Sequence, residues 1–265
     1  MKTLLCHADA FASQPFAGNP AAVCVLPEER PDAWMQSLAA EMNLSETAFV
    51  RRLPEGDWSL RWMTPAVEVN LCGHATLATA HVLATEGLWG PDASVRFHTR
   101  SGVLSVAREG SGYTMDFPAD PVKPVVRPQG LEDALGVPPV YVAKGREYLL
   151  VEIGSVDRLR KLRPRMGALA GLPFLGVIVT CEGPGGGEPD FYSRFFAPAA
   201  GIPEDPVTGS AHCTLATHWA KRLGRTKFRA IQASARGGEL GVELTGDRVL
   251  LTGNAVTVTR GELLV

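Results

Sequence analysis

Apolar and polar positions change period several times along the chain. Residues 4–10 and 21–26 are small and β-branched apolar runs that read as strands, and Phe16-Ala-Gly-Asn-Pro20 between them favours a turn. Helical spacing follows from Asp32, a residue type suited to capping, through Met42, with Leu38, Ala39 and Met42 on one face and Asn43 as a left-handed stop. Residues 47–50, 58–63 and 67–71 read as strands, which puts Glu46 at the mouth of the first of them. At Gly73 the pattern turns helical again and runs to Gly87. This stretch is mostly Ala, Leu and Val, with few charges before Glu86, so the helix is expected to be buried. Strands at 95–98, 103–107 and 113–117, joined by turns at Ser101-Gly102 and Gly110-Ser-Gly112, predict a meander.

Pro118, Pro121, Pro124 and Pro128 then punctuate a semi-rigid stretch that is the best boundary in the chain. Beyond it the pattern predicts helices at 131–135 and 156–162 and strands at 148–153, 175–180 and 191–196. Asp205-Pro206 favours a turn, Thr208-Gly209-Ser210 opens a helix over 211–223, and strands close the chain near 228–233, 242–244, 249–252 and 255–259. The expected domains are 1–118 and 130–253, joined by 119–129, with the last strand, about 254–265, placed where it can pack back onto the first half. Gly183-Pro-Gly-Gly-Gly187 lacks the Lys-Ser/Thr of a phosphate-binding loop and opens no helix, so it reads as a bare turn.

The halves echo each other. Arg61-Trp-Met-Thr-Pro-Ala66 matches Arg194-Phe-Phe-Ala-Pro-Ala199 at an offset of 133, and Glu68 to Gly73 matches Glu204 to Gly209 at an offset of 136. Thr76-Leu-Ala-Thr79 recurs as Thr214-Leu-Ala-Thr217 at an offset of 138, which leaves the register inside the helices open. A duplicated unit accounts for this. Two such halves would face each other across a cleft, each offering the free N–H groups of a glycine-led helix start to a small anion.

Composition narrows the chemistry. With 265 residues, 45% hydrophobic, 20% charged and a formal net charge of -2, the chain is that of a soluble globular protein. Scattered Lys and Arg give no footprint for nucleic acid or an anionic membrane, so a small-molecule substrate is expected. The N-terminus reaches a charge too soon for a signal peptide and no apolar run approaches the roughly 20 residues of a membrane span, so a cytoplasmic protein is expected. Five dispersed cysteines with no Cys-x-x-Cys pair argue for reduced thiols.

Near the helix starts the candidate acids and bases are His74, Asp205 and Ser210, with Glu46 arriving from its own strand edge. Cys72 would suit a two-thiol racemase, but its counterpart is Thr208, and Cys213 lies about one turn into the helix. His74 and His81 are seven apart, and His212 and His218 six, with no His-x-x-x-His pair or carboxylate cage, so no metal is expected. His81 and His218 read as packing residues. A carboxylate base remains: Glu46 in a water-poor cleft would have its pKa raised towards a value useful for moving protons at carbon.

Phe16-Ala-Gly-Asn-Pro20, Leu44-Ser-Glu-Thr-Ala-Phe49, Cys72-Gly-His-Ala-Thr76 and Asp205-Pro-Val-Thr-Gly-Ser-Ala211 resemble, in the same order, the motifs of the PhzF-like (phenazine biosynthesis) isomerase family. The resemblance implies an α+β fold of two pseudo-symmetric diaminopimelate-epimerase-like domains, each a curved, mostly antiparallel sheet wrapped round a central helix, paired as a homodimer. It implies a cofactor-free isomerase shifting a proton on a small amino- or hydroxy-substituted carboxylic acid, as with trans-2,3-dihydro-3-hydroxyanthranilate. Carried over by motif, Glu46 is the proton shuttle, His74 and Asp205 contact the substrate, and Gly73, Gly209, Ser210 and Asn19 help bind it. The alternatives are a thiol-dependent racemase or epimerase using Cys72, and a non-catalytic metabolite-binding protein.

Overall fold

The structure is a computed structural model that describes residues 3–90, 94–110 and 112–265. Ser111, the middle of one expected turn, and Met1 and Lys2 at the start of the leader reading lie outside the described residues. The chain divides into two compact units, Met1–Asp116 with Thr252–Val265, and Phe117–Leu251.

The first unit contains β1 (Thr3–Ala10), β2 (Asn19–Leu26), α1 (Asp32–Met42), β3 (Thr47–Arg52), β4 (Trp58–Met63), β5 (Glu68–Val69), α2 (Gly73–Thr85), β6 (Val95–Thr99), β7 (Gly102–Glu109) and β8 (Gly112–Pro118). In the second follow β9 (Lys123–Pro124), α3 (Leu131–Leu135), β10 (Tyr141–Lys144), β11 (Tyr148–Glu152), α4 (Val156–Lys161), α5 (Met166–Ala170), β12 (Gly176–Glu182), β13 (Phe191–Ala197), β14 (Ile202–Asp205), α6 (Gly209–Leu223), β15 (Lys227–Gln232), β16 (Gly238–Thr245) and β17 (Arg248–Gly253). The last strand, β18 (Ala255–Leu263), returns to the first unit and pairs antiparallel with β1, which also pairs with β2.

In the first unit β2 and β3 run parallel, with Ala22 opposite Thr47, and β3 pairs antiparallel with β4. Strands β1, β2, β3 and β18 all pack on α2. That helix is central because its sequence has no polar face: Ala75, Leu77, Ala78, Ala80, Val82 and Leu83 are fully buried. Leu77, Val82 and Leu83 alone contribute about 1.5–3 kcal/mol each by burial. Thr76 and Thr79 enter the core by donating their hydroxyls to the carbonyls of Cys72 and Ala75, four residues back. Helix α1 buries Met35, Leu38 and Ala39 against Cys24, Phe49 and Met63. Its stop is Asn43 at φ 50, as expected, but its N-cap is Pro31, and Asp32 instead turns its carboxylate to Arg61.

The strand expected at 67–71 shrinks to Glu68–Val69, because the chain leaves the sheet there to enter α2 and leaves Val67 and Leu71 exposed. Four elements go unpredicted: β9, β10, α5 and β14. Each is five residues or shorter, and β14, Ile202-Pro-Glu-Asp205, carries a proline and two acids where β propensity is low.

In the second unit β11 and β12 are parallel, β12 and β13 antiparallel, β13 and β15 parallel, and β15 and β16 antiparallel. Its core gathers Leu149, Val151, Val179, Tyr192 and Phe196 with α3, α4 and α5. Helix α6 buries Ala211, His212, Cys213, Leu215, Ala216 and Trp219. The proline-rich stretch is built into this unit: β9 pairs with Ala143 and Lys144, and Asp120 accepts hydrogen bonds from the Thr214 hydroxyl and the Arg146 N–H.

The internal echo has a structural counterpart in each unit. Arg61 Nε and Nη2 fork onto both oxygens of Glu68 at 2.8 and 2.7 Å, and Arg194 does the same to Glu204 at 2.7 and 2.8 Å. The change of offset from 133 to 136 falls between Ala199 and Glu204, where the second copy is three residues longer and turns through Gly201, at φ 80. Inside the helices the register stays at 136 for the first turn, since Thr76 and His212 both bond back to the N-cap carbonyl, of Cys72 and Thr208 respectively.

Candidate active site

In the first unit the sheet sets Glu46 immediately before β3, and α2 begins at Gly73 after the extended N-cap Cys72, at φ -144 and ψ 110. Cys72 makes no side-chain cap, so its thiol turns instead to His74, with Sγ 3.5 Å from Nδ1. The opposite ring nitrogen, Nε2, lies 3.3 Å from Glu46 Oε2. His74 is buried, whereas the Glu46 side chain keeps 13% of its surface exposed.

Burial pushes the His74 imidazole down to about 3, so near neutral pH the ring is uncharged. A neutral imidazole carries one N–H and one lone pair. With the proton on Nε2 the ring turns its N–H toward Glu46 and its lone pair toward the thiol; with the proton on Nδ1 it turns the N–H toward the thiol and the lone pair toward Glu46. The ring therefore couples Glu46 and Cys72 through its tautomer. The three groups offer ligating atoms within 4.8 Å of one another.

Asn19 heads β2 and is fully buried, opposite Ala10. Because β2 and β3 are parallel neighbours, Asn19 and Glu46 stand at the starts of adjacent strands. Gly18 before it sits at φ 66, where an added Cβ would lie 2.1 Å from the Ala10 carbonyl oxygen, so the turn requires glycine. Phe16 also takes a positive φ of 69, exposes its ring, and donates its N–H to Asp9 at 2.7 Å.

In the second unit Asp205 ends β14 and Thr208 is the extended N-cap of α6, at φ -114 and ψ 101. The Thr208 hydroxyl donates to Asp205 Oδ2. Gln232 ties this turn together: its amide donates to the Asp205 carbonyl at 2.7 Å and its oxygen accepts the Thr208 N–H at 2.9 Å. Gly209 is buried and Ser210 is exposed, with its hydroxyl 3.0 Å from that of Tyr148. Burial first, with Asp205 and other anions nearby, pushes the Tyr148 hydroxyl up, so it remains protonated as a donor. His212, one turn in, is pushed down to about 4 by burial, and its Nδ1 lies 2.8 Å from the Thr208 carbonyl oxygen.

Glu46, Gly73 and His74 thus assemble in one unit, and Asp205, Gly209 and Ser210 in the other. Tyr148 and Gln232 were not singled out from sequence: each lies at one end of an ordinary apolar strand, and only the fold brings it to the α6 start. His81 and His218 are packing residues as expected, His81 between the Tyr113 and Thr257 hydroxyls and His218 between Glu152 and the Tyr141 ring. Among the described residues no helix is long and apolar enough to cross a membrane.

Comparisons with known proteins bear on this arrangement. The family model described as "Phenazine biosynthesis-like protein" matches residues 8–261. An uncharacterized isomerase of Halalkalibacterium halodurans is 49% identical over 266 residues, covering all of both chains. A crystal structure of a phenazine biosynthesis protein of the PhzF family from Enterococcus faecalis covers all of both chains with a TM-score of 0.95 and 40% identity. A probable proline racemase from Agrobacterium radiobacter, 12% identical, has a TM-score of 0.66 over 99% of this chain and 93% of its own, a likeness of fold alone.

Proposed function

The chain belongs to the phenazine biosynthesis-like family, and from that premise we propose that it is a cofactor-independent isomerase in which Glu46 moves a proton between two carbons of a small amino- or hydroxy-substituted carboxylic acid. The observation that carries this reading is the 3.3 Å contact between Glu46 and the buried, neutral His74. Glu46 takes a proton from one carbon and returns it to another, so substrate and product have the same composition. His74, whose Nε2 faces the carboxylate at 3.3 Å, would hold Glu46 in position without itself becoming charged. In this reading the N–H groups at Gly73 and Gly209 and the hydroxyl of Ser210 receive the substrate's carboxylate, and Asp205 and Asn19 its polar substituents.

Glu46→Gln tests it. The carboxylate's loss should lower isomerisation of trans-2,3-dihydro-3-hydroxyanthranilate, or of the turned-over member of a panel of amino and hydroxy acids, by on the order of 10²–10⁴-fold. Solvent-deuterium incorporation should fall with it. Full activity in that variant overturns the proposal. A thiol-dependent reaction would instead lose its activity with Cys72→Ser; against it stands Thr208, which holds the matching position of the second helix and donates to Asp205.

A further inference from the structure

Three donors of different character meet at the α2 start: a carboxylate oxygen of Glu46, the sulfur of Cys72 and a ring nitrogen of His74, all within 4.8 Å of one another. Among the described residues no other His, Cys, Asp and Glu side chains gather this way. Donors around a four-coordinate zinc ion, at 2.0–2.3 Å from it, are spaced by roughly 3.3–3.8 Å. Two contacts in the cluster already have that spacing, 3.5 Å from Cys72 Sγ to His74 Nδ1 and 3.3 Å from His74 Nε2 to Glu46 Oε2. They use opposite ring nitrogens, so convergence on one ion needs a side-chain swing of about 1 Å.

We propose that Glu46, Cys72 and one nitrogen of His74 form a binding site for a thiophilic divalent cation, of which Zn²⁺ is the type, with the fourth coordination position open. Sulfur and imidazole donors suit zinc and disfavour magnesium and calcium, which prefer all-oxygen sites. As the S–Zn bond forms, the Cys72 proton passes to solvent. The carboxylate and the thiolate then balance the two charges of the ion, so the filled site is neutral, as a buried position requires. The sequence hides this set, because its spacing of 46, 72 and 74 joins a strand mouth to a helix cap and matches no metal-binding motif.

Binding stands independently of the reaction; its consequence, that the ion takes Glu46 out of proton transfer and inhibits, rests on the isomerase reading. Zn²⁺ titrated into the metal-free protein by calorimetry should bind one ion per chain, and Cys72→Ser should weaken it by at least tenfold. Co²⁺ in the same site should give a sulfur-to-cobalt charge-transfer band and intense tetrahedral visible bands in the unaltered protein. Absence of stoichiometric Zn²⁺ binding, equal affinity in Cys72→Ser, or a pale six-coordinate Co²⁺ spectrum without charge transfer overturns the site. Should Cys72→Ser fail to fold by circular dichroism, the Co²⁺ spectrum of the unaltered protein decides alone. Zn²⁺ bound with these signatures but without inhibition leaves the site standing and counts against Glu46 as the proton shuttle.

Discussion

The duplicated arginine fork should cost different amounts to break in its two copies. Arg194, whose side chain is 7% exposed, pairs with both oxygens of Glu204 and donates Nη1 to the Leu159 and Leu162 carbonyls at 3.1 and 2.9 Å. Those carbonyls keep second partners, the Leu162 N–H and Arg163, so the main loss in Arg194→Leu is four charge-assisted bonds and a stranded Glu204. This amounts to about 3–4 kcal/mol. Arg61 is 28% exposed, and its partner Glu68 keeps Arg100 at 2.6 Å when Arg61 is removed. Solvent screening and that second cation reduce Arg61→Leu to about 1–2 kcal/mol. At roughly 2–4 °C per kcal/mol for a chain of this size, thermal unfolding followed by far-ultraviolet circular dichroism should drop by about 10 °C for Arg194→Leu and about 4 °C for Arg61→Leu. Arg194→Lys should recover little, since an ammonium cannot fork. An Arg61→Leu loss as large as that of Arg194→Leu would refute the reasoning.

Gly18→Ala should destabilise by more than about 2 kcal/mol, because its Cβ meets the Ala10 carbonyl oxygen at 2.1 Å at φ 66; a urea midpoint unchanged from that of the parent would contradict the close approach. For pH, burial holds His74 down to about 3 and His212 to about 4 from 6.5, so below about 6.5 the unfolded chain binds more protons than the folded one. Stability is therefore full above that value and falls as the pH drops toward 3, by up to about 1.4 kcal/mol per pH unit for each histidine, and His212→Asn should show a shallower fall between pH 7 and 5; parallel curves count against it.

Much of this arrangement was legible because duplication and helix starts leave strong local signals. Gly73 and Gly209 stand after extended caps, and α2 shows its burial in a run of Ala, Leu and Val. Glu46 was legible as a strand-mouth acid, since Asn43 stops a helix just before it. What stayed hidden depends on distance in sequence. Gln232 reaches the Asp205 turn from 27 residues away, and Tyr148 reaches Ser210 from 62 residues away. Strand β14 was hidden differently: its proline and acids speak against a strand, yet it pairs with the neighbouring β13, from which Arg194 forks onto Glu204.

The two copies also show how one scaffold diverges in chemistry. Both helix starts keep the same extended cap, the same bond from the fifth residue to the cap carbonyl, and the same arginine fork on the strand leading in. Beyond these, the caps differ. Cys72 leaves a thiol against a histidine that burial keeps neutral, with Glu46 on its far side. Thr208 spends its hydroxyl on Asp205, and Gln232 locks both in place. The Asp205 carboxylate is held by a hydroxyl that the Gln232 amide holds in turn, whereas the Glu46 carboxylate lies beside a neutral imidazole with part of its side chain exposed. Under the proposed isomerase reading, that difference assigns the acid–base role to Glu46 and the holding role to Asp205.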